Sequence, residues 1–228
     1  EQLEREPEAF EEETAGWFES SYLWSRVTMA SYTRATISAR RHKQVLFYCQ
    51  AVDFSPQVLK RDFEVYDRML AVPSVAHTSR LPGWVMLHLN MRVRLTTQVL
   101  PPWGVQDATG TVMAIDLSAA DRQQLRMKMD AEDDAHIAPG LCLRELPPGV
   151  YVKLDNCDQE FLPPQVCEEH KLVGFCKECS ACHALEGWVL VDPIGRTWAV
   201  TDAVTTNTFK VSRTQLPLMP EATCPLYS

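Results

Sequence analysis

LPGWVMLHLNMRVRLTTQVL, residues 81–100, is the stretch on which the fold turns. From Met91 to Leu95 apolar and charged side chains alternate, with Met91, Val93 and Leu95 set against Arg92 and Arg94. A period of two places the apolar set on one face of a strand and both arginines on the other. Downstream the texture repeats. DATGTVMAIDL (107–117) reads as a turn followed by a strand, and VYVKLDN (150–156), GWVLVDP (187–193), TWAVTDAV (197–204) and FKVSRTQ (209–215) as further short strands. One helix interrupts them, LSAADRQQLRMKMDAEDDA (117–135), with Ser118 as its candidate cap. Short strands separated by Pro, Gly, Asp and Asn turns predict a small barrel drawn from residues 85–115, 150–156 and 187–215.

Upstream of Leu81 the pattern differs. LWSRVTMA (23–30) is compatible with a short strand, and SYTRATISARRHK (31–43) with a helix capped by Ser31. Arg40, Arg41, His42 and Lys43 fall in that helix's last turns, where cations suit the helix dipole. VLFYCQAV (45–52) is nearly continuous in its apolar character, as a strand buried on both faces requires. This strand-helix-strand order implies parallel strands lying outside the barrel. Residues 57–71 read as another helix, ended by Pro73, and 8–20 as a short acidic helix with Phe10, Trp17 and Phe18 as docking residues. The expected fold class is α+β: a partial α/β unit in residues 1–80, then a small β-barrel unit in 81–228 that carries a Cys-rich loop insertion at 157–187.

Composition limits the function classes. The 228 residues are 46% hydrophobic and 23% charged, values of a globular chain. No apolar run approaches the roughly 20 residues needed to cross a bilayer, so no membrane partner is expected. EQLEREPEAFEEE is acidic where a secretory leader would be basic. The net charge of −8 is concentrated in residues 1–20, which hold eight Glu and one Arg, so the acidity does not exclude a nucleic-acid partner. The chain begins without Met and ends on Tyr227-Ser228, which reads as a piece of a longer protein.

CEEHKLVGFCKECSACHALEG (167–187) holds four of the eight cysteines. Cys167 and His170, then Cys179 and Cys182, form two ligand pairs with two-residue gaps, the arrangement that presents four ligands to one tetrahedral zinc ion. Cys176 with Cys179 is an alternative second pair, and His183 a spare ligand. Such a clip would replace the hydrophobic core that so short a loop lacks. Disulfides would need an oxidising compartment, and incidental free cysteines are the other alternative. Four protein ligands fill the tetrahedron, so the zinc is expected to be structural and not catalytic.

Three segments in order carry a family resemblance. Leu87, Leu89, Val93 and Leu95 lie in the first, Asp107-Ala108-Thr109-Gly110-Thr111-Val112 form the second, and Arg213, Gln215, Pro217 and Leu218 lie in the third. Together they resemble the C-terminal half of the Pif-family DNA helicases, RecD-like superfamily-one enzymes that include the Helitron transposon helicases. The resemblance spans roughly residues 23–228. It implies that residues 23–80 are part of the second RecA-like motor domain and that 81–215 form an SH3-like accessory domain, termed 2B, with a return to the motor domain at the end. It further implies an ATP-dependent DNA helicase acting in repair, recombination or transposition, in an intracellular and most simply nuclear setting. ATP and magnesium would be cofactors of the parent protein alone, because this sequence holds no G-x-x-x-x-G-K-[ST] loop to cradle a triphosphate. The first RecA-like domain would then be a missing partner.

The sequence departs from the family at Asn90-Met91, where a glycine is usual, at Cys224 for a threonine, and at Leu226-Tyr227 for a polar-basic pair. Arg92, Arg94, Lys210 and Arg213 are the candidate contacts to single-stranded DNA. The alternative for the first two is the solvated face of a half-buried strand. Trp103 in PPWG is a candidate for base stacking or for packing on its turn. Cys49 reads as core, and Asp53 as a turn cap with no acid-base partner. No catalytic constellation is evident, so the fragment is expected to be inactive alone. The other function class is a zinc-stabilised β-barrel interaction module without nucleic-acid affinity.

Overall fold

In the computed structural model, residues 26–55, 79–131, 140–159, 172–173, 187–201 and 208–220 are described. Along the chain these form α1 (Arg26–His42), β1 (Leu46–Gln50), β2 (Val52–Phe54), β3 (Trp84–Leu87), β4 (Arg92–Leu95), β5 (Thr109–Asp116) and α2 (Ala119–Ala131). There follow β6 (Gly140–Cys142), β7 (Gly149–Leu154), β8 (Leu172–Val173), β9 (Trp188–Val191), β10 (Ile194–Thr201), β11 (Thr208–Gln215) and β12 (Leu218–Pro220). The acidic segment 8–20, the helix expected at 57–71, all four expected zinc ligands and residues 224–227 lie outside the described residues.

The strands make three sheets, ordered β3-β1-β6, β10-β11-β2 and β12-β4-β5-β7-β9, with β8 pairing β5 beside the third. They do not close into the one barrel expected from 85–115, 150–156 and 187–215. The strands of that set are shared out instead. β3 pairs antiparallel with β1, through Phe47 opposite Leu87 and Cys49 opposite Val85. The WVML and LFYC segments both lack alternation, as strands covered on both faces do, and Phe47, Cys49, Val85 and Leu87 are all buried. β10 pairs with β11, and β11 with β2.

Two upstream expectations also change. Arg26–Ala30, read as part of a strand, continue the helix, and Ser31 lies inside it. No Gly or Pro interrupts residues 26–42, so nothing stops helical propagation there. The parallel strands expected within 23–52 are absent among the described residues. β1 has one parallel neighbour, β6, nearly a hundred residues on.

The helix ends follow local rules. Lys43 at φ 52° turns the chain out of α1, and the amides of Gln44 and Lys43 return to the carbonyls of Ala39 (2.9 Å) and Arg40 (3.0 Å). At the start of α2 the Ser118 hydroxyl accepts from the Asp121 amide (3.1 Å) and donates to the Asp121 carboxylate (2.8 Å), as the sequence predicts. Asp121 also accepts from the Arg144 amide (3.0 Å), which ties α2 to the segment after β6. One core unites these parts. Tyr32, Ala35 and Ala39 of α1 are buried with Phe47 and Cys49, Val85 and Leu87, Val93 and Leu95, Val112 and Ile115, and Val150 and Val152. Tyr32 stacks on Tyr48 with ring centroids 5.6 Å apart.

The Cys-rich insertion leaves and returns at one place. Gly187 donates its amide to the Gln159 carbonyl (2.8 Å) and accepts from the Leu154 amide (2.8 Å). Its φ of +72° and the 2.4 Å that would separate an added Cβ from the Cys157 carbonyl oxygen make glycine necessary there.

Candidate nucleic-acid interface

The alternation at 91–95 appears directly in the burial of β4. Met91, Val93 and Leu95 are buried, Arg92 is exposed and Arg94 is half-buried. Register then builds the arginines' face across the third sheet. Arg92 lies opposite Thr111 of β5, Thr111 opposite Lys153 of β7, and Lys153 opposite Trp188 of β9. Arg94 lies opposite Thr109 on one side and Met219 of β12 on the other. Arg92, Arg94 and Lys153 therefore share one face. Gly110 lets β5 and β7 approach closely beneath it, since a Cβ there would meet the Lys153 carbonyl oxygen at 2.5 Å.

Two carboxylates border this face. Asp155 accepts from both terminal nitrogens of the Arg92 guanidinium and from the Thr109 hydroxyl. The Arg92 bond, with that of Thr109, holds the Asp155 carboxyl below the usual carboxylate range. Asp107 lies 3.9 Å from Arg94, a loose and largely exposed pair. The aromatic members of the sheet are covered: Tyr151 and Trp188 are both 8% exposed and pack with Ala114. Burial, with Asp116 and Asp192 adding, pushes the Tyr151 phenol up.

Lys210 and Arg213 stand elsewhere. Both are on β11, in the β10-β11-β2 sheet. Lys210 is exposed, opposite Ala199. Arg213 is fully buried. Its Nε and Nη2 donate to the two oxygens of Asp53 at 2.7 and 2.6 Å, and its Nη1 to the Leu81 carbonyl at 3.1 Å. The guanidinium also lies 5.2 Å from the centroid of the Trp198 ring. Asp53, read as a turn cap without an acid-base partner, has this partner 160 residues away. Gln215 is buried beside the pair and donates to the Cys49 carbonyl at 3.0 Å. In this arrangement Arg213 and Gln215 hold β11 against β1, β2 and the entry to β3.

Two residues here adopt a backbone conformation that glycine usually supplies. Asn90, of the Asn90-Met91 pair at which the resemblance expects a glycine, adopts φ 65°, a conformation asparagine tolerates better than most side chains. Asp107, which heads the second matched segment, does the same at φ 66°. Lys153 and Asp155 were not singled out in the sequence. Lys153 is the sole charged residue of the GVYVKL strand, which marks it as facing outward. Asp155 gave no signal, because its partner Arg92 lies 63 residues away. Cys49 is buried as expected, and burial pushes its thiol far up. No group of three or more Cys, His, Asp or Glu suited to a metal occurs among the described residues. Nor is any described helix long and apolar enough to cross a membrane.

No family model matches the chain, and no curated protein matches it. Among solved structures it is similar to the Pif1 helicase from Candida albicans, at 15% identity over 82% of this chain and 33% of that one, with a TM-score of 0.35. It is also similar to unliganded Pif1 from Bacteroides sp., at 12% identity over 82% of this chain and 37% of that one, with a TM-score of 0.31. The chain thus spans about a third of each. Scores this low leave the functional reading to the residues themselves.

Proposed function

We propose that this chain is an accessory, C-terminal part of an ATP-dependent DNA helicase, binding single-stranded DNA and aiding strand separation without catalysing anything alone. The observation that carries the reading is the shared face of Arg92, Arg94 and Lys153, with the two arginines on β4 in the first helicase-like segment and the lysine on β7, across β5 and the second segment. Three cations at strand spacing suit the phosphates of an extended single strand. ATP and magnesium belong to the parent protein, since phosphoryl transfer depends on positioning groups this sequence lacks. A structural zinc on Cys167, His170, Cys179 and Cys182 is part of the same reading. Its support is the paired spacing, together with the closed neck at Gly187 from which the insertion springs. Lys210, exposed on the separate sheet, is an outlying phosphate contact.

The test is binding of a labelled oligothymidine across a salt series. Three phosphate contacts predict a slope of log K against log salt of about −2, at roughly 0.7 per contact for a single strand. Arg92→Ala with Arg94→Ala should weaken binding and flatten that slope. Asp155→Asn should strengthen binding by freeing Arg92. Salt-independent binding, or none, would leave the zinc-stabilised interaction module as the better description. ATP turnover by this chain alone, with or without DNA, would overturn the assignment.

A further inference from the structure

The β10-β11-β2 sheet has one covered side and one open side, and register sorts its residues between them. Asp53, Arg213, Val211 and Trp198 fall on the covered side. On the other side Phe54 lies opposite Ser212, and Ser212 opposite Thr197. Val52 lies opposite Thr214, and Thr214 opposite Gly195, while Lys210 lies opposite Ala199. All of these are exposed except Thr214, which is half-buried. No carboxylate stands among them.

Two side chains on this open side stand out. Phe54 is 54% exposed, more than Trp103 at 37%, and Val52 beside it is 56% exposed. Among the described residues Phe54 stacks on no other ring and Lys210 pairs with no carboxylate. Lys210 is two residues from Ser212, the residue opposite Phe54. Ring and ammonium are therefore carried by diagonal neighbours, about 7–8 Å apart and within reach of each other's side chains. The positions around them are small, so the platform is flat: a Cβ added at Gly195 would meet nothing nearer than Thr214 Oγ1 at 3.9 Å. The backbone that presents Phe54 is fixed on both sides, by Asp53 in its bidentate pair with Arg213 and by Ser55, which is 2% exposed. An aromatic ring held this way loses little freedom when it meets a flat partner.

We infer that the open side of this sheet is a subsite for one nucleotide of single-stranded nucleic acid, with the base on the Phe54 ring and its phosphate on Lys210. The inference rests on the function proposed above and gives Lys210, there an outlying contact, a base-stacking companion. Charge and size select the ligand. One cation and no carboxylate face the solvent here, so a phosphate is attracted and meets no opposing charge. The face is eight residues long on β10 and β11 and three on β2, so it covers only on the order of 300 Å² at strand spacing. A stable protein partner, a second copy included, takes about 800 Å² from each side. A single base needs far less, and every base has a flat face to lay on the ring.

The experiment compares labelled oligothymidine with an abasic phosphodiester strand of equal length. Phe54→Ala should weaken oligothymidine binding by roughly 5- to 100-fold, the range of one base–aromatic stack, and leave the abasic strand unaffected. Phe54→Trp, which keeps a ring, should retain the affinity. Lys210→Gln should weaken both strands alike and flatten the salt slope by about 0.7, the share of one phosphate contact. Because both side chains are exposed, the melting temperature should hold in all three variants. A Phe54→Ala loss equal on both strands, or no loss on either, would overturn the subsite. So would a wild-type dimer, seen by sedimentation, that Phe54→Ala converts to monomer with its DNA affinity intact, since the face would then belong to a second copy. If oligothymidine binds through Arg92 and Arg94 but without Phe54 or Lys210, the subsite alone falls. If it does not bind at all, the proposed function falls with it.

Discussion

Removing one partner of the Arg213–Asp53 pair should be the most damaging single change described. Both side chains are essentially inaccessible, at 0% and 1% exposure, and the geometry is bidentate. Asp53→Leu leaves a buried guanidinium without its carboxylate, beside the Leu81 carbonyl and the Trp198 ring. Breaking a buried pair in this way costs about 3–5 kcal/mol. At the roughly 2–4 °C per kcal/mol of a chain this size, the melting temperature should drop by about 6–20 °C. Arg213→Met should cost about as much by stranding the carboxylate. Asp53→Leu with Arg213→Met should recover most of the loss, because it removes both charges together, at the cost of the bond to the Leu81 carbonyl. Urea denaturation of the four proteins measures the coupling directly. Single-variant losses below about 1 kcal/mol, the size of an exposed pair, or a double variant equal to the sum of the singles, would refute the clamp.

Ser118→Ala should destabilise the fold by about 1 kcal/mol, the usual worth of such a cap, read from urea midpoints. His88 gives a pH dependence. It is buried, bonded to the Leu89 carbonyl (2.7 Å) and the Ser38 hydroxyl (2.9 Å), and stacked on His42 at 5.4 Å; burial chiefly, and His42 in addition, lower its pKa, while the Leu89 bond opposes them. The unfolded chain therefore binds the proton more readily, so stability should fall as pH drops through about 6.5; His88→Gln should shrink that fall in denaturation curves taken between neutral and mildly acid pH. Asp155 acts in a lower window: its depressed carboxyl favours the folded state above its ordinary value of 3.8, and that contribution is lost as pH falls below it. Purified protein should carry about one zinc per chain, and chelation should raise the number of thiols open to a colorimetric reagent; a metal-free chain with unchanged thiol reactivity would dismiss the zinc clip.

What could be read in advance was local. The alternation of Met91 to Leu95, the Ser118 cap and the apolar run at Leu46–Cys49 each declare themselves within a few residues, because one strand face or one helix turn determines them. What could not be read was long-range. Nothing in WVML says that its neighbour is LFYC and not another strand of its own half, so the barrel was drawn where three sheets exist. Arg213 shows a charge in the sequence but not its burial, and the carboxylate that explains it lies 160 residues away.

The neck at Gly187 has a consequence for how this chain tolerates change. Residues 159 and 187 are already bonded to each other, and within the span between them Leu172 and Val173 add the two-residue strand β8 beside β5. Loop-closure entropy rises by only about 0.6 kcal/mol for each doubling of length. Residues can therefore be added on either side of β8 at little thermodynamic penalty to the strands that the neck joins. The same neck offers a grafting point, where a foreign domain with adjacent termini could be spliced in at the loss of the short β8 pairing.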